Sequence, residues 1–244
     1  MTNKKVLPKN GWGLDRMPAG NVLMPYRLLQ EHILRYIFAS QFVMGKNVFD
    51  IACGSGYGGN YLLSKGAKTV IGGDLSEEAI VQAVEFYKKD NFELILMDAT
   101  KIPIANNTFD VILSFETIEH IPDYEKYLIE CQRVLLNGGI YICSTLNVTV
   151  PGTSMSIYIY HVNEFNVIQF DEALHKYFGQ VELFGESYNN EGKFSLKQKI
   201  ADLIRNKLLW LPYLDKFNRF MTKFVFKEYR LLSLNEVEDF DSFS

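Results

Sequence analysis

Two glutamates and a histidine lie within five residues of one another in Glu116-Thr-Ile-Glu119-His120, and His161 follows later in the chain. At helical spacing the first three side chains (i, i+3, i+4) would share one face. Imidazole has an unperturbed pKa of about 6.5, which suits a general base at neutral pH. The same set can also ligate Mg²⁺, Mn²⁺ or Zn²⁺. Proton removal, metal binding and simple bracing of a loop are therefore three open interpretations.

A glycine-rich segment from Val48 to Gly59 joins an apolar strand to a predicted helix. Gly54 and Gly56 allow the main chain to turn tightly and to approach a ligand, and the helix directs its free N–H groups at that ligand. Together with Gly59 they also satisfy the dinucleotide pattern G-x-G-x-x-G. The loop therefore predicts a cofactor site without naming the cofactor.

Three acids, Asp50, Asp74 and Asp98, end or follow predicted strands around this loop. Asp74 is placed to accept hydrogen bonds from a ribose diol, which NAD and nucleoside-containing methyl donors share. Asp98, followed by Ala99, can accept the exocyclic amine of adenine, which dinucleotide domains do not require. The chain also lacks the second catalytic domain expected of a dehydrogenase. These features favour a methyl donor over a dinucleotide.

Alternating strands and helices are predicted to position these residues. We predict strands over 48–52, 69–74, 92–97, 109–115 and 140–145, and helices over 24–44, 57–65, 77–89, 124–136 and 165–178. Strands that are apolar on both faces within this alternation predict a doubly wound, mostly parallel α/β sheet. Segments 180–185 and 231–234 would bring it to seven strands. Ligands are expected at the carboxyl ends of the strands.

Several motifs occur in an order that resembles the class I S-adenosylmethionine-dependent methyltransferases. They are Asp50-x-Ala52-x-Gly54-x-Gly56, Gly73-Asp74-Leu75-Ser76, Met97-Asp98-Ala99-Thr100, the stretch from Asn106 to Ile112, and Arg133-Val134-Leu135-x-x-Gly138-Gly139. The resemblance covers residues 45–147 and implies a Rossmann-like fold with S-adenosylmethionine as cofactor. Ala52 departs from the usual glycine, and we expect altered packing against the methionine part of the donor, not lost binding.

The resemblance also implies a role for each residue. Gly54 and Gly56 would pass close to the methionyl part, Asp74 would hold the ribose and Leu75 would sandwich the adenine. Asp98 with Ala99 would fix the adenine edge. The implied cofactor-binding set is Asp50, Ala52, Gly54, Gly56, Asp74, Leu75, Asp98, Ala99, Phe115 and Arg16, the last placed to meet the cofactor carboxylate.

The Glu-x-x-Glu-His sequence with a later histidine is similar to that of the small-RNA 3′-terminal 2′-O-methyltransferases. Glu-x-x-Glu-His also occurs in ubiquinone-pathway O-methyltransferases. The first likeness implies a divalent metal held by Glu116, Glu119, His120 and His161. In the other interpretation, His120 or His161 is the general base and a glutamate orients it.

Three parts are predicted along the chain: an arm and helix at 1–45 that form part of a lid, a cofactor-binding core at 46–150, and an acceptor-side segment at 151–244. The last part contains a basic helical insertion at about 190–228. We expect the insertion to pack with one face buried. The alternatives are that the insertion forms a lid over the acceptor, an electropositive binding site for a nucleotide or pyrophosphate, or a helix that lies at the surface of an anionic lipid membrane. Its aromatic residues would contribute to the core or to a homodimer contact.

The chain has 244 residues, 48% of them hydrophobic, and a formal net charge of −4. This length supports one large core, and the negative charge argues against DNA and RNA as partners. The three cysteines show no metal-ligand spacing and are expected to be reduced. With no signal-like segment and no long apolar run, we expect a cytoplasmic protein without a transmembrane segment.

The stretch from Gly11 to Pro18 and Glu31-His32-x-x-Arg35-Tyr36 resembles the N-terminal arm of methyltransferases found among bacterial glycan and sugar biosynthesis enzymes. This resemblance implies a small-molecule acceptor, most simply a sugar hydroxyl in a nucleotide-linked, capsule or glycan precursor. N-methylation of an amino sugar and O-methylation of a quinone or lipid precursor are alternatives. A non-catalytic, cofactor-binding regulatory protein is the alternative of another class.

Overall fold

The computed structural model describes residues 26–148, 160–188 and 229–233. The helices in these residues are α1 (Tyr26–Ala39), α2 (Tyr57–Ser64), α3 (Glu77–Tyr87), α4 (Tyr124–Val134) and α5 (Val167–His175). The strands are β1 (Asn47–Ile51), β2 (Thr69–Asp74), β3 (Phe92–Leu96), β4 (Phe109–Phe115), β5 (Leu135–Ser144), β6 (Phe184–Tyr188) and β7 (Tyr229–Ser233). Short 3-10 turns cover Ser40–Phe42 and Ile118–His120.

Strands β1 to β5 form one parallel sheet in the order β3-β2-β1-β4-β5. The strand order reverses between β1 and β4, which are direct neighbours. In open α/β sheets, ligands bind outside the carboxyl ends of the strands at such a reversal. The glycine-rich segment follows β1 and Glu116 follows β4, so the fold brings the two predicted sites to this point. The predicted doubly wound, Rossmann-like class is confirmed.

Helices cover both faces of this sheet. One core cluster joins Phe49 and Ile112 to Tyr127, Leu128 and other side chains of α4. The other joins different residues of the same strands to Ala39 of α1 and Leu62 of α2. Because neighbouring residues of a strand point to opposite faces, one strand contributes to both clusters. This double burial explains why the central strands are apolar throughout.

Strands β6 and β7 depart from the predicted arrangement. They pair with each other in antiparallel register, from Phe184 opposite Ser233 to Tyr188 opposite Tyr229. In the described residues they form a separate two-stranded sheet and do not extend the parallel sheet to seven strands. The Phe184 ring lies 5.1 Å from that of Phe38, between centroids, so this pair packs beside α1.

Strand β5 begins five residues earlier than predicted. Helix α4 was predicted to continue to residue 136, but it ends at Val134, and Leu135 already pairs with Phe109. The ladder shifts register between Phe109 and Val111, and Gly138 has a φ of 78°. Gly138 and Gly139 therefore form an irregularity within the strand.

The predicted helix starts at residues 57, 77 and 124 agree with the structure, while those at 24 and 165 lie two residues before the observed starts. The Ser76 hydroxyl accepts the N–H of Ala79 at 3.2 Å and caps α3. Asn166 and Gln169 form a reciprocal capping box at the start of α5.

All three cysteines are free thiols, and Cys53 and Cys131 are buried. In the ranges given above, every helix is too short or too polar to cross a membrane.

Candidate functional site

The donor loop, which we define as residues 52–59, begins where β1 ends and leads into α2. Gly56 immediately precedes α2 with a φ of 77°, and its N–H donates to the Cys53 carbonyl at 3.1 Å. A Cβ on Gly56 would lie 2.8 Å from the Cβ of Ala83, so a larger residue would meet both backbone strain and a clash. No side chain caps α2, which leaves its first turn suited to an anionic or polar ligand.

The later glycines of the loop have a packing role. A Cβ on Gly58 would lie 2.0 Å from the ring of Tyr36, and one on Gly59 would lie 2.5 Å from the ring of Phe92. These glycines therefore admit aromatic side chains from α1 and β3 against the start of α2. Of the glycines in G-x-G-x-x-G, the last serves helix packing, and the pattern alone does not identify a ligand contact there.

Asp74 holds the donor loop and the next loop together. Its Oδ2 accepts the N–H of Gly54 at 2.8 Å, and its Oδ1 accepts the N–H of Ser76 at 2.8 Å. A carboxylate has about four acceptor sites, so each oxygen retains capacity for a further donor. This geometry suits the predicted contact with a ribose diol.

The adenine side of the predicted site is open. Leu75 is 69% exposed, an unusual fraction for a large apolar side chain at a strand end. Both the N–H and the hydroxyl of Thr100 donate to Oδ1 of Asp98 at 2.8 Å, and these bonds lower the pKa of Asp98. The remaining acceptor capacity of the Asp98 carboxylate suits the predicted contact with the adenine amine. The Met97 N–H donates to the Asp74 carbonyl, so the two acids stand at adjacent strand ends.

Arg133 anchors the segment that follows Asp98. Its guanidinium donates to the carbonyls of Ile102 and Ile104, and to both carboxylate oxygens of Glu130. Those hydrogen bonds to Glu130 raise the pKa of Arg133. The arginine of the Arg133-Val134-Leu135 motif thus has a structural role in holding this segment.

Ala52 occupies a backbone conformation that favours glycine. Its φ is 57°, in the left-handed region, and its side chain is exposed. This conformation accounts for the glycine that usually stands at the position, since an L side chain is strained there.

Replacing Ala52 by glycine should raise the free energy of unfolding by about 1 kcal/mol, because glycine adopts this conformation without strain. Urea denaturation of both proteins would measure the difference. Ala79→Gly, in α3, is the matched control and should lower stability by about 0.5–1 kcal/mol. A destabilised Ala52→Gly protein would show that the Ala52 methyl group makes a packing contribution larger than its strain.

Two members of the predicted cofactor set lie in the interior. Asp50 is buried, and both of its carboxylate oxygens lie 3.1 Å from the Tyr36 hydroxyl, which donates to them. Burial and, to a smaller extent, the negative charge of Asp74 raise the pKa of Asp50 to about 7, against the opposing effect of the Tyr36 hydrogen bond. Phe115 is also buried and packs edge-on against Tyr36, 5.1 Å between ring centroids. Their direct contact with a cofactor stays a prediction.

Glu116 follows β4 in a left-handed conformation, with a φ of 50°. Oε1 accepts the Ser144 hydroxyl at 2.7 Å and lies 3.4 Å from Nη2 of Arg35. Burial alone would raise the pKa of Glu116, but Arg35, Ser144, His32 and His161 bring it below the usual value. Glu116 is therefore an ionised, held carboxylate at the end of β4.

Glu119, His120 and His161 come together beside it. One potential ligand atom from each lies within 4.8 Å of the others, and the two imidazole rings are 4.8 Å apart between centroids. The predicted helical face is a 3-10 turn at Ile118–His120, and Glu116 is not in this group. The structure thus assembles three of the four candidate catalytic residues and pairs the fourth with Ser144 and Arg35.

Hydrogen bonds fasten the segment carrying His161 to this turn. The N–H groups of Val162 and Asn163 donate to the Glu119 carbonyl at 2.8 and 3.0 Å. Nδ1 of His120 lies 3.1 Å from the Tyr160 carbonyl oxygen. Because a carbonyl can only accept, Nδ1 carries the hydrogen, and neutral His120 presents the lone pair of Nε2.

The carboxylate of Glu119 lies in an unfavourable environment. The side chain is 1% exposed, and neither oxygen has a hydrogen-bond partner in the described part of the chain. Burial and the neighbouring Glu116 raise its pKa well above the usual range. The Thr145 side chain is near enough to oppose this shift, although not at hydrogen-bonding geometry. An unpartnered buried carboxyl of this kind fits a cation or a hydrogen-bond donor supplied by a ligand.

Arg35 and Tyr36 were not among the predicted site residues. Their contacts with Glu116 and Asp50 bring two consecutive residues of α1 to the ends of β4 and β1. The signal in the sequence was His32, Arg35 and Tyr36 at i, i+3 and i+4 on a predicted helix. Arg16, the rest of the N-terminal arm and the basic insertion at 190–228 lie outside the described residues.

The fold is that of the Rossmann-like methyltransferases, and part of the chain matches a methyltransferase family. Residues 49–143 match the family described as "Methyltransferase domain", a range that runs from β1 to β5. Among solved structures, an S-adenosylmethionine-dependent methyltransferase from Mesorhizobium loti is 17% identical, with a TM-score of 0.51, over 72% of this chain and 93% of that one. The cyclase SpnF is 14% identical, with a TM-score of 0.58, over 89% and 85%. At these identities the likeness shows the fold alone.

Curated relatives also match part of the chain. A Mycolicibacterium smegmatis protein named "Probable S-adenosylmethionine-dependent methyltransferase" is 31% identical over 147 residues, 59% of this chain and 56% of that protein. A ubiquinone biosynthesis O-methyltransferase of Dinoroseobacter shibae is 34% identical over 115 residues, 46% of each chain. The chain thus spans about half the length of the curated relatives it matches. S-adenosylmethionine is the cofactor that these comparisons support.

Proposed function

We propose that this protein binds S-adenosylmethionine at the ends of β1 to β3 and transfers its methyl group to a small polar acceptor. The observation that carries the proposal is the group of Glu119, His120 and His161, since Glu119 and His120 follow β4, the strand that pairs with β1 just before the donor loop. Donor-binding and proton-accepting groups then meet at one reversal of strand order.

A sugar hydroxyl in a nucleotide-linked or glycan precursor is the proposed acceptor, supported by the resemblance of the N-terminal arm. One relative is named a ubiquinone biosynthesis O-methyltransferase, and this supports the phenolic hydroxyl of a quinone precursor as a second candidate acceptor. Both are O-methylations. An amino sugar would instead receive the methyl group on nitrogen.

A hydroxyl acceptor must lose its proton during transfer. Its oxygen attacks the methyl carbon in line with the breaking carbon–sulfur bond, and the proton passes to a base. Nε2 of His120 is the proposed base, because the Tyr160 carbonyl fixes the tautomer that leaves this nitrogen unprotonated. Glu116, held ionised by Arg35 and Ser144, would stabilise the imidazolium that forms.

A divalent metal is the alternative, and the residues fit one. The unpartnered Glu119 carboxylate and the lone pair of His120 are suitable ligands, with His161 as the third. The Tyr160 carbonyl on the far nitrogen of His120 is the kind of outer contact that metal-bound histidines make. Such a metal would polarise the acceptor hydroxyl and lower its pKa.

The test separates donor binding from transfer. Calorimetric titration with S-adenosylmethionine would measure binding, and methyl-labelled donor would report transfer to nucleotide sugars, amino sugars and quinone phenols. We expect binding in the micromolar range typical of cofactors and transfer to a nucleotide sugar. Transfer only to a phenol or an amine would replace the proposed acceptor. Binding without transfer across a broad acceptor panel would favour the regulatory alternative, and absence of binding would refute the proposal.

A further inference from the structure

Helix α1 reaches beneath the donor loop through Tyr36. Its ring is edge-on to those of Tyr57 and Phe115, at 5.4 and 5.1 Å between centroids. It also occupies the space that a side chain on Gly58 would need. Tyr36 therefore contacts the start of α2 and the end of β4 at once, and its hydroxyl reaches the Asp50 carboxylate.

The preceding residue, Arg35, reaches the acceptor side. Its Nη2 lies 3.4 Å from Oε1 of Glu116, in a pair whose side chains are each 10% exposed. Two consecutive residues of α1 therefore contact both sides of the site: Tyr36 contacts Asp50 and the start of α2, and Arg35 contacts Glu116. A movement of this helix would displace residues on both the donor side and the acceptor side.

We infer that Tyr36 is a positioning residue for the donor loop, and that its hydroxyl couples donor binding to the proton carried by Asp50. This inference rests on the proposed binding of S-adenosylmethionine. The sulfonium and ammonium groups give that donor a net positive charge, so an ionised carboxyl beneath the loop attracts it. A protonated carboxyl does not.

The groups around Asp50 favour such a proton exchange near neutral pH. Tyr36 of α1 donates to the carboxylate, and Asp74 of β2 acts on it as a second negative charge. The Cys53 thiol of the loop and the Tyr57 hydroxyl of α2 also face it, and both have pKa values raised by burial and by Asp50. Burial raises the pKa of Asp50 to about 7, while the Tyr36 hydrogen bond favours the ionised form.

Donor affinity should therefore increase as pH rises through about 7, by roughly 5-fold, the effect of one charge in a partly shielded protein environment. Tyr36→Phe keeps the ring and its edge contacts but removes the hydroxyl. Since that hydroxyl favours the ionised form, its loss should shift the midpoint upward by about one pH unit. Asp50→Asn should remove the pH dependence attributable to this site.

The experiment is calorimetric titration with S-adenosylmethionine from about pH 6 to 8.5 on the full chain. Tyr127→Phe is the matched control, because Tyr127 is equally buried and its hydroxyl bonds that of Tyr141 at 2.7 Å in the other core cluster. It should lower stability without moving the midpoint. Equal midpoints for the wild type and Tyr36→Phe, or equal shifts in both tyrosine variants, would overturn the inference. A wild type that binds no donor at any pH would instead refute the proposed function.

Discussion

Replacing Asp74 by alanine should weaken S-adenosylmethionine binding by about 10²- to 10⁴-fold. Two charge-assisted hydrogen bonds to the ribose would be lost, each contributing about 1.5–3 kcal/mol. The same change removes the acceptor for the Gly54 and Ser76 N–H groups, which both lie 2.8 Å from the carboxylate. The donor loop would then lose its link to β2, so binding and loop order should fall together.

Calorimetric titration and urea denaturation would measure these two effects separately. Asp110→Ala is the matched control, because the Asp110 carboxylate also accepts a backbone N–H, from Asn47 at 2.9 Å, at the opposite end of the strands. We expect both variants to lose about 1–3 kcal/mol of stability. Only Asp74→Ala should lose donor affinity. Comparable affinity in the two variants would place the ribose elsewhere.

The parallel sheet was predictable because each central strand is buried on both faces and ends at turn-forming residues. β2 and β4 have the predicted bounds, β1 begins and ends one residue earlier than predicted, and β3 ends one residue earlier. β5 was mispredicted since Gly138-Gly139 is equally compatible with a helix end and with an irregular strand. Only the pairing of Leu135 with Phe109, 26 residues away, decides between them.

The placement of the donor-side acids and glycines was also predictable, since they lie at strand ends in a recognisable order, while their contacts with the cofactor stay predictions. The acceptor side was less predictable, because its arrangement depends on which distant residue each charged side chain contacts in the folded protein. Glu116 was grouped with Glu119 and His120, yet it bonds Ser144, 28 residues away, and pairs with Arg35. Such choices between distant residues are not encoded in local spacing.

Removing the imidazole of His120 should reduce turnover by about 10²- to 10⁴-fold while donor affinity stays unchanged. This outcome is expected whether His120 accepts the proton or holds a metal, since both roles concern the acceptor. His175→Ala is the matched control: His175 is exposed on α5 and pairs with Asp171 at 3.3 Å. If His120→Ala retained full turnover, the group would only brace the loop. A mild effect would favour an amine acceptor, which needs no strong base once deprotonated.

The variant Glu119→Gln distinguishes the mechanism in which His120 is the general base from the mechanism in which the group holds a divalent metal. With His120 as base, this variant should retain most activity, and chelators should have no effect. With a metal, Glu119→Gln and His161→Ala should each lose activity, chelation should abolish it, and one divalent ion should restore it.

The pH dependence of the free energy of unfolding, measured on protein treated with a chelator to remove divalent metal, tests the environment of Glu119 independently of activity. The pKa of Glu119 is raised by burial and by Glu116. The folded state therefore binds more protons than the unfolded state between pH of about 4.5 and the raised value, and stability falls as pH rises across that window. Glu119→Gln should remove this dependence and stabilise the chelated protein at neutral pH. An unchanged pH profile would mean that this carboxyl has a partner that the described residues do not include.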